Sequence, residues 1–553
     1  MSDLAQVDDD AAQGAVTLPR VDVDPSPPKT ASFWLSLLTI TIATFLSALD
    51  TSAVSTALPT IVNHFQGQQF VWVGSAYTLA GVAILPLSGH LATLFGRRPI
   101  LLSGLVLFAV GSALCGAATS MAMLIGGRTV QGLGSGVILA LTEIILADLV
   151  PLKERGAYQG AIGLIWSVAS IIGPLVGGAF AQRQDWTWRG LFYLNLPLTG
   201  ISIVLCILFL NLKTPRAPLS ERLSKIDWVG NILIIGSTTS ALLGLTWGGI
   251  QFSWSSPQVL APLIIGFVGI FAWVAYEMYI PAEPTIPFRL LTNRTSVSGY
   301  IGTALQGFVI SAALFYLPVY FQACKGASPV RSGVDMLPYS LSIPPFAIVA
   351  GATATATDRY KPQNIIAWAC ITLGMGLQST LGADAAVRNW IGFQIIPGIG
   401  FGLLFTATTF PILAPLPVEL NASALAFFIF IRTFFQAWGI TVGATVLQNQ
   451  LRARLPETFV ASLPSGVEIA YAVIPQVREL AEPLRDAVRA AFADSLQVLW
   501  EVMIAVAGVG FVSAWFMREI PLQRLADEAW GLEERAKSEP EDVEKDSSAP
   551  GNL

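Results

Sequence analysis

Residues 71–118 read VWVGSAYTLAGVAILPLSGHLATLFGRRPILLSGLVLFAVGSALCGAA, two long apolar stretches parted by a short turn that carries Arg97 and Arg98. About 20 consecutive apolar residues cross a bilayer only as a helix, because lipid offers no partner to an open backbone. The same pattern recurs along the chain, near 34–56, 71–92, 99–118, 121–148, 158–181, 191–211, 227–247 and 258–280. Six more stretches lie near 298–321, 333–355, 363–382, 388–414, 424–447 and 495–517, which predicts fourteen spans. Composition agrees: of 553 residues 53% are hydrophobic and 12% charged, against roughly 25% charged in a soluble domain, and mean hydropathy is +0.62. The expected fold class is all-α and polytopic, with Gly- and Ala-rich helices that can pack closely in lipid.

Basic residues orient the spans, since short cytosolic loops collect Lys and Arg. With the N-terminus inside, the short inner loops hold Arg97, Arg98, Lys153, Arg155, Lys213, Arg216, Arg222, Lys225, Arg289, Arg294, Arg359 and Lys361. The short outer loops hold only Arg183, Arg189, Lys325, Arg331 and Arg388. Both termini are therefore expected in the cytosol, in the cell membrane or alternatively a vacuolar one. One long loop, 448–494, falls outside. Within it 475–493 (PQVRELAEPLRDAVRAAFA) reads as an amphipathic helix, either a solvated cap or a helix lying on the membrane or on the protein. The sequons at Asn293 and Asn421 fall on inner loops, so neither is expected to carry glycan. The net charge of −5 divides by region. Residues 1–30 hold 2 basic and 6 acidic side chains, residues 519–553 hold 4 and 10, and the membrane body between them is net basic. Segments 1–32 and 519–553 thus read as disordered acidic cytosolic tails.

Several function classes drop out. The acidic balance argues against nucleic acid. Four cysteines and two histidines (His64, His90) lack metal-ligand spacing and stand beside no catalytic cluster, so neither metal, cofactor nor membrane-embedded enzyme chemistry is expected. No Gly-Lys dipeptide occurs, so there is no phosphate-binding loop for ATP.

An internal repeat remains. Gly89-His-Leu-Ala-Thr-Leu-Phe-Gly-Arg-Arg-Pro-Ile100 has a weak echo in Gly351-Ala-Thr-Ala-Thr-Ala-Thr-Asp-Arg-Tyr-Lys-Pro362, with Gly89, Ala92, Thr93 and Arg97 matching Gly351, Ala354, Thr355 and Arg359. Both segments link the second and third spans of a half. A parallel duplication of six spans explains this: an N-terminal half over 33–212, a linker with two extra spans over 213–297, and a C-terminal half over 298–518. Duplicated halves with a site between them typify one large transporter class.

Motifs at these places resemble the major facilitator superfamily, and within it the fourteen-span drug:proton antiporters of fungi. The resemblance covers about 33–520. Leu49-Asp50-Thr51 with Ala57-Leu58-Pro59 is similar to the first-span signature, and GHLATLFGRRP, with Gly89, Gly96, Arg97 and Arg98, to the loop motif. Arg128-Thr-Val-Gln131-Gly132-Leu-Gly134 resembles the fourth-span motif, and Gly173-Pro174-Leu-Val-Gly177-Gly178 the fifth-span antiporter motif. Trp188 to Pro197, and Leu317 to Gln322 followed by Lys325 to Pro329, are further matches. The chain departs at Thr93, where the loop motif usually has an acid thought to steady the inward-closed state. The resemblance implies export of a toxin, drug or secondary metabolite in exchange for protons, by rocking of two halves, from a monomer. Proton-coupled uptake of a siderophore or nutrient is the alternative, which the fifth-span motif disfavours.

Ionisable groups inside spans are costly unless paired, and so mark function. At 1.5 Å per residue Asp50 lies about 24 Å along span 1 and Arg128 about 10 Å into span 4 from the other side, at matching depth. They are expected to form either a movable proton-coupling pair or a permanent structural ion pair. Glu143 and Glu501 read as a second proton site, a contact for a cationic substrate, or interface residues. Arg432 has no evident partner and suits an anionic or carbonyl-bearing substrate. Gln131, Gln306, Gln394 and Gln436 suit cavity hydrogen bonding or interhelical bonds.

Overall fold

Each apolar stretch closes its own backbone hydrogen bonds as a helix. The computed structural model describes residues 29–65, 71–182, 188–212, 218, 221, 225–249, 252–281, 284–456, 473–474, 477 and 479–522. Fourteen long helices cover the expected spans. The first eight are α1 (Ala31–Phe65), α2 (Val71–Phe95), α3 (Arg97–Gly116), α4 (Met121–Leu149), α5 (Leu152–Gln182), α6 (Arg189–Phe209), α7 (Trp228–Trp247) and α8 (Pro257–Tyr279). They are followed by α9 (Arg294–Cys324), α10 (Leu337–Thr357), α11 (Lys361–Gln378), α12 (Val387–Ala407), α13 (Asn421–Arg454) and α14 (Leu484–Trp515). Among the described residues thirteen are long and apolar enough to cross a membrane. The exception is α11, only 18 residues long, whose first turn carries Lys361, Gln363 and Asn364.

Packing repeats with a shift of eight helices. In the first half α1 packs on α5 and α6, α2 and α3 on α4, and α3 on α6. In the second, α9 packs on α13 and α14, α10 and α11 on α12, and α11 on α14. Across the halves α5 packs on α10 and α2 on α13, again a matched pair. The inserted helices α7 and α8 pack on each other, with α7 against α2. One apolar core joins α1–α4 to α7, α8 and the first half of α13, and a second fills the C-terminal half.

The structure corrects the outer loop. The expected loop 448–494 is shorter, because α13 runs on to Arg454 and α14 begins at Leu484. Residues 484–493 of the expected amphipathic helix 475–493 are the first turns of α14. Val488, Ala491, Phe492 and Leu496 put its apolar face into the C-terminal core, so it continues the span. Arg489 fastens this end by donating to the Cys324 carbonyl (2.8 Å) and to Asp384 (2.7 Å). Most of the two acidic tails lies outside the described residues.

The face where α1 begins and α14 ends, here the terminal face, is closed between the halves. A Cβ on Gly89 of α2 would overlap Ala426 of α13, and one on Gly156 of α5 would overlap the backbone of Gly351 of α10. Such contact needs glycine. Gly96, between α2 and α3, has φ +92°, which an L side chain rarely adopts.

Candidate functional site

Asp50 is the centre of a polar network inside the N-terminal half. Its side chain is fully buried, and Arg128 of α4 donates to its Oδ2 as a charge-assisted pair. Oδ1 accepts from Gln131 Nε2 and from Asn195 Nδ2 of α6, both at 2.9 Å. Gln131 returns its Oε1 to Arg128 (2.7 Å) and donates to Ser112 of α3 (2.9 Å). Arg128 also donates to the Val73 carbonyl of α2 (2.9 Å) and stacks on Tyr77, 4.1 Å from its ring centre. Tyr77 in turn bonds Ser47 and Ser135, and those two bond each other. One carboxylate therefore ties α1 to α4 and α6, and through Arg128 and Gln131 to α2 and α3. Any change in its charge reaches all five.

On α4, Ala122, Gly126 and Thr129 are exposed, Leu133 is half-buried, and Gly136, Ala140 and Glu143 are buried. The spacing from Thr129 to Glu143 runs four, three, four, three, which is one helical stripe. Its exposed residues lie toward the end away from the terminal face, and the stripe is sealed toward that face, where Gly136 backs onto Gly81 of α2. At the seal Glu143 accepts from Gln159 of α5 (3.0 Å), and Thr409 of the C-terminal half donates to Gln159 Oε1 (3.4 Å). Gly173 and Gly177 of α5 back onto Ser52 and Ala53 of α1 so closely that a Cβ on either would overlap them. Pro174 and Gly178 lie on the same continuous helix, but their surroundings fall outside the described residues.

At the terminal face Arg97 Nε pairs with Asp148 of α4 at 2.8 Å, both buried, while its Nη1 caps the Ala92 carbonyl (2.9 Å). Arg98 donates to Asn211 (2.9 Å) and to the Ile207 carbonyl. Thr93 only bonds back to Gly89 within its own helix (3.1 Å). Before α1, burial would lower the Lys29 ammonium, yet its bonds to Glu154 (2.8 Å) and Tyr158 (2.7 Å) hold it above its ordinary pKa. Between α10 and α11, burial pushes the Tyr360 phenol up to about 12 while it donates to the Arg518 carbonyl (2.6 Å).

Two expected cavity glutamines sit elsewhere. Gln131 belongs to the Asp50 network, and Gln394 donates to the Asp335 and Trp390 carbonyls (both 3.0 Å), bracing α12 against the loop before α10. Each turns into its own half because buried polar groups there need it. Gln306 is buried on α9, whereas Gln436 and Arg432 on α13 are half-buried. Glu501 is on the outer surface of α14, hydrogen-bonded by Gln497 (2.9 Å). His90 holds the Lys225 carbonyl (3.1 Å), and no metal-ligating cluster occurs among the described residues. Sequence reasoning missed the parts played by Asn195, Ser112 and Tyr77. Asn195 carried a usable signal, an amide in the middle of an apolar span.

It also missed a second acidic pair. Asp227 caps α7 by accepting from the Gly230 amide (2.9 Å) and from the Tyr276 hydroxyl (3.0 Å). Glu277 of α8 accepts from Trp273 (3.0 Å). Both carboxyls crowd the place a Gly230 Cβ would take, with Glu277 Oε1 2.9 Å from it, and Asp227 Oδ2 and Glu277 Oε2 are buried without a hydrogen-bond partner.

Comparison with known proteins places these features. A family model described as the Major Facilitator Superfamily matches residues 40–443. The "Efflux pump FUS6" of Gibberella moniliformis is 39% identical over 524 residues, covering 92% of each chain. The "MFS-type efflux pump LUC4" of a Fusarium species is 38% identical, covering 95% of this chain and 94% of its own. The "Acurin A biosynthesis cluster MFS-type transporter" of Aspergillus aculeatus is 38% identical, with 92% and 93% covered. Among solved structures, the proton:xylose symporter XylE bound to 6-bromo-6-deoxy-D-glucose matches with TM-score 0.56 at 15% identity, over 89% of this chain and 98% of its own. The human organic anion transporter MFSD10 (TETRAN) matches with TM-score 0.54 at 13% identity, over 87% of this chain and 100% of its own. At those identities the likeness is one of fold.

Proposed function

The chain belongs to the major facilitator superfamily, and from that premise we propose that it exports small, largely apolar organic molecules in exchange for incoming protons. Its fold is that of a multi-pass membrane transporter. The observation that carries the proton coupling is Asp50, a fully buried carboxylate whose only cationic partner is Arg128 among its three donors. When Asp50 takes up a proton it no longer holds the guanidinium, and Arg128 is left with Gln131, the Val73 carbonyl and the Tyr77 ring. The helices that the network joins then repack. Relatives at 38–39% identity bear names of efflux pumps, which supports export over uptake.

The terminal face is the cytosolic one in this reading, because it collects the basic loops. The conformation is then outward-open, with Gly89–Ala426 and Gly156–Gly351 closing the cytosolic side. Protons enter from outside and bind Asp50. Release of Arg97 from Asp148 and of Gln159 from Glu143 frees the cytosolic gate, and the halves rock so that substrate loads from inside. The protein works as a single chain in the cell membrane, without ATP.

The test is net flux in inside-out vesicles across a panel of apolar toxins. Uptake into the vesicles driven by an acidic lumen, and abolished by a protonophore, is the expected result. Flux in the opposite direction under the same gradient refutes export, and flux indifferent to the gradient refutes proton coupling.

A further inference from the structure

Arg432, a cation in mid-membrane, makes no direct ion pair among the described residues. It lies about 17 Å along α13 from the terminal face. Its guanidinium rests over the rings of Phe428, 5.0 Å from the centroid, and Phe405, 5.3 Å away. Among the described residues its guanidinium makes no hydrogen bond either, and the residue is only half-buried. Aromatic faces favour a guanidinium but leave its N–H donors unfilled.

No buried acid among the described residues fills them. Asp50 is held by Arg128, Asp148 by Arg97, and Asp335 by Arg331. Glu143, which acts on Arg432 through space, accepts its hydrogen bond from Gln159. Asp227 and Glu277 belong to the α7–α8 pair with Tyr276 and Trp273. A bare cation in such surroundings is costly unless an anion arrives. The planar fork of arginine fits a carboxylate with two parallel hydrogen bonds, while Phe405 and Phe428 offer flat apolar surface beside it.

We propose that Arg432 is the recognition site for the acidic group of the substrate, so that the exported class is organic acids: flat, largely apolar molecules bearing a carboxylate or an equally acidic enolate. This rests on the export reading and adds its substrate class. It carries a consequence for energetics: sending an anion out while a proton comes in moves charge in one sense twice, so an inside-negative potential assists each cycle.

The test uses two probes of one shape, anthracene-9-carboxylate and its neutral methyl ester, with the full-length purified protein. Calorimetric titration is expected to show the acid bound at least tenfold more tightly than the ester. Arg432→Gln should lower acid binding at least tenfold and bring the two probes to similar affinity. Arg432→Lys keeps the charge without the fork, and should lose at least threefold of the preference. If the wild-type protein binds both alike, or both variants keep the preference, the anion site is wrong. Gradient-driven flux in proteoliposomes is scored separately. An ester pumped as well as the acid overturns the substrate class and leaves export standing, whereas preferential acid binding with no pumped flux of either probe overturns the export reading instead.

Discussion

Replacing Asp50 with Asn separates coupling from folding. The side chain keeps its size, but the amide has one acceptor where the carboxylate had two, so its nitrogen opposes a donor, either Arg128 or Gln131 with Asn195, and a buried cation loses its anion. Breaking a buried pair from one side costs about 3–5 kcal/mol, and at 1.4 kcal/mol per factor of ten that weakens the folded state by roughly a hundred- to a few thousandfold. Changing Arg128 to Gln as well should return most of this, because Gln131, Asn195, Ser112 and Tyr77 then enclose two neutral amides that can hydrogen-bond each other. Proton coupling should not return, because no carboxylate remains at the site. Cys115, Cys206 and Cys324 are free and buried, so a thiol-reactive dye reports unfolding directly. The expected order of thermal stability is wild type, then Asp50→Asn/Arg128→Gln close behind, then Asp50→Asn well below. Substrate-induced proton uptake, read with a pH dye in proteoliposomes, should be lost in both variants while substrate exchange across an ungraded membrane persists in the double one. Proton movement retained in the double variant, or a double variant no more stable than the single, would refute the account.

Two further outcomes are expected. Thr93 lies one turn closer to the terminal face than Gly89, which meets Ala422 and Ala426, so Thr93→Asp would place a carboxylate beside the start of α13. A charge at a helix N-terminus is worth about 0.3–1 kcal/mol, and spin-label distances across the terminal face should show a larger closed fraction; a smaller one contradicts this. In the α7–α8 pair two buried carboxyls without a basic partner repel when both are ionised. Glu277→Gln should therefore raise thermal stability at high pH and change it little in strong acid, where carboxyls are neutral, and a loss of stability at high pH would rule out repulsion there.

Asp50 and Arg128 were legible as a pair because depth along a span follows from counting residues, and the two counts agreed. Gln131 and Gln394 were not legible as structural braces. Both suited a cavity or an interhelical bond equally, since an amide in an apolar span announces that it needs a partner without saying on which side the partner stands. Asn195 and Ser112 escaped for the same reason. Asp227 and Glu277 lie 50 positions apart, and only the packing of α7 on α8 makes them neighbours.

The division has a physical origin. Hydropathy, span length and the placing of basic loops are set by the bilayer acting on each short segment alone, so the sequence by itself determined the helices, their order and the list of polar groups that had to be accounted for. Which face each helix turns to its neighbours depends on packing between segments hundreds of residues apart. Only the tertiary structure could decide that Asp50 has three donors, that the terminal face is closed by glycine contacts, that the last span begins at Leu484, and that Arg432 pairs directly with no acid among the described residues.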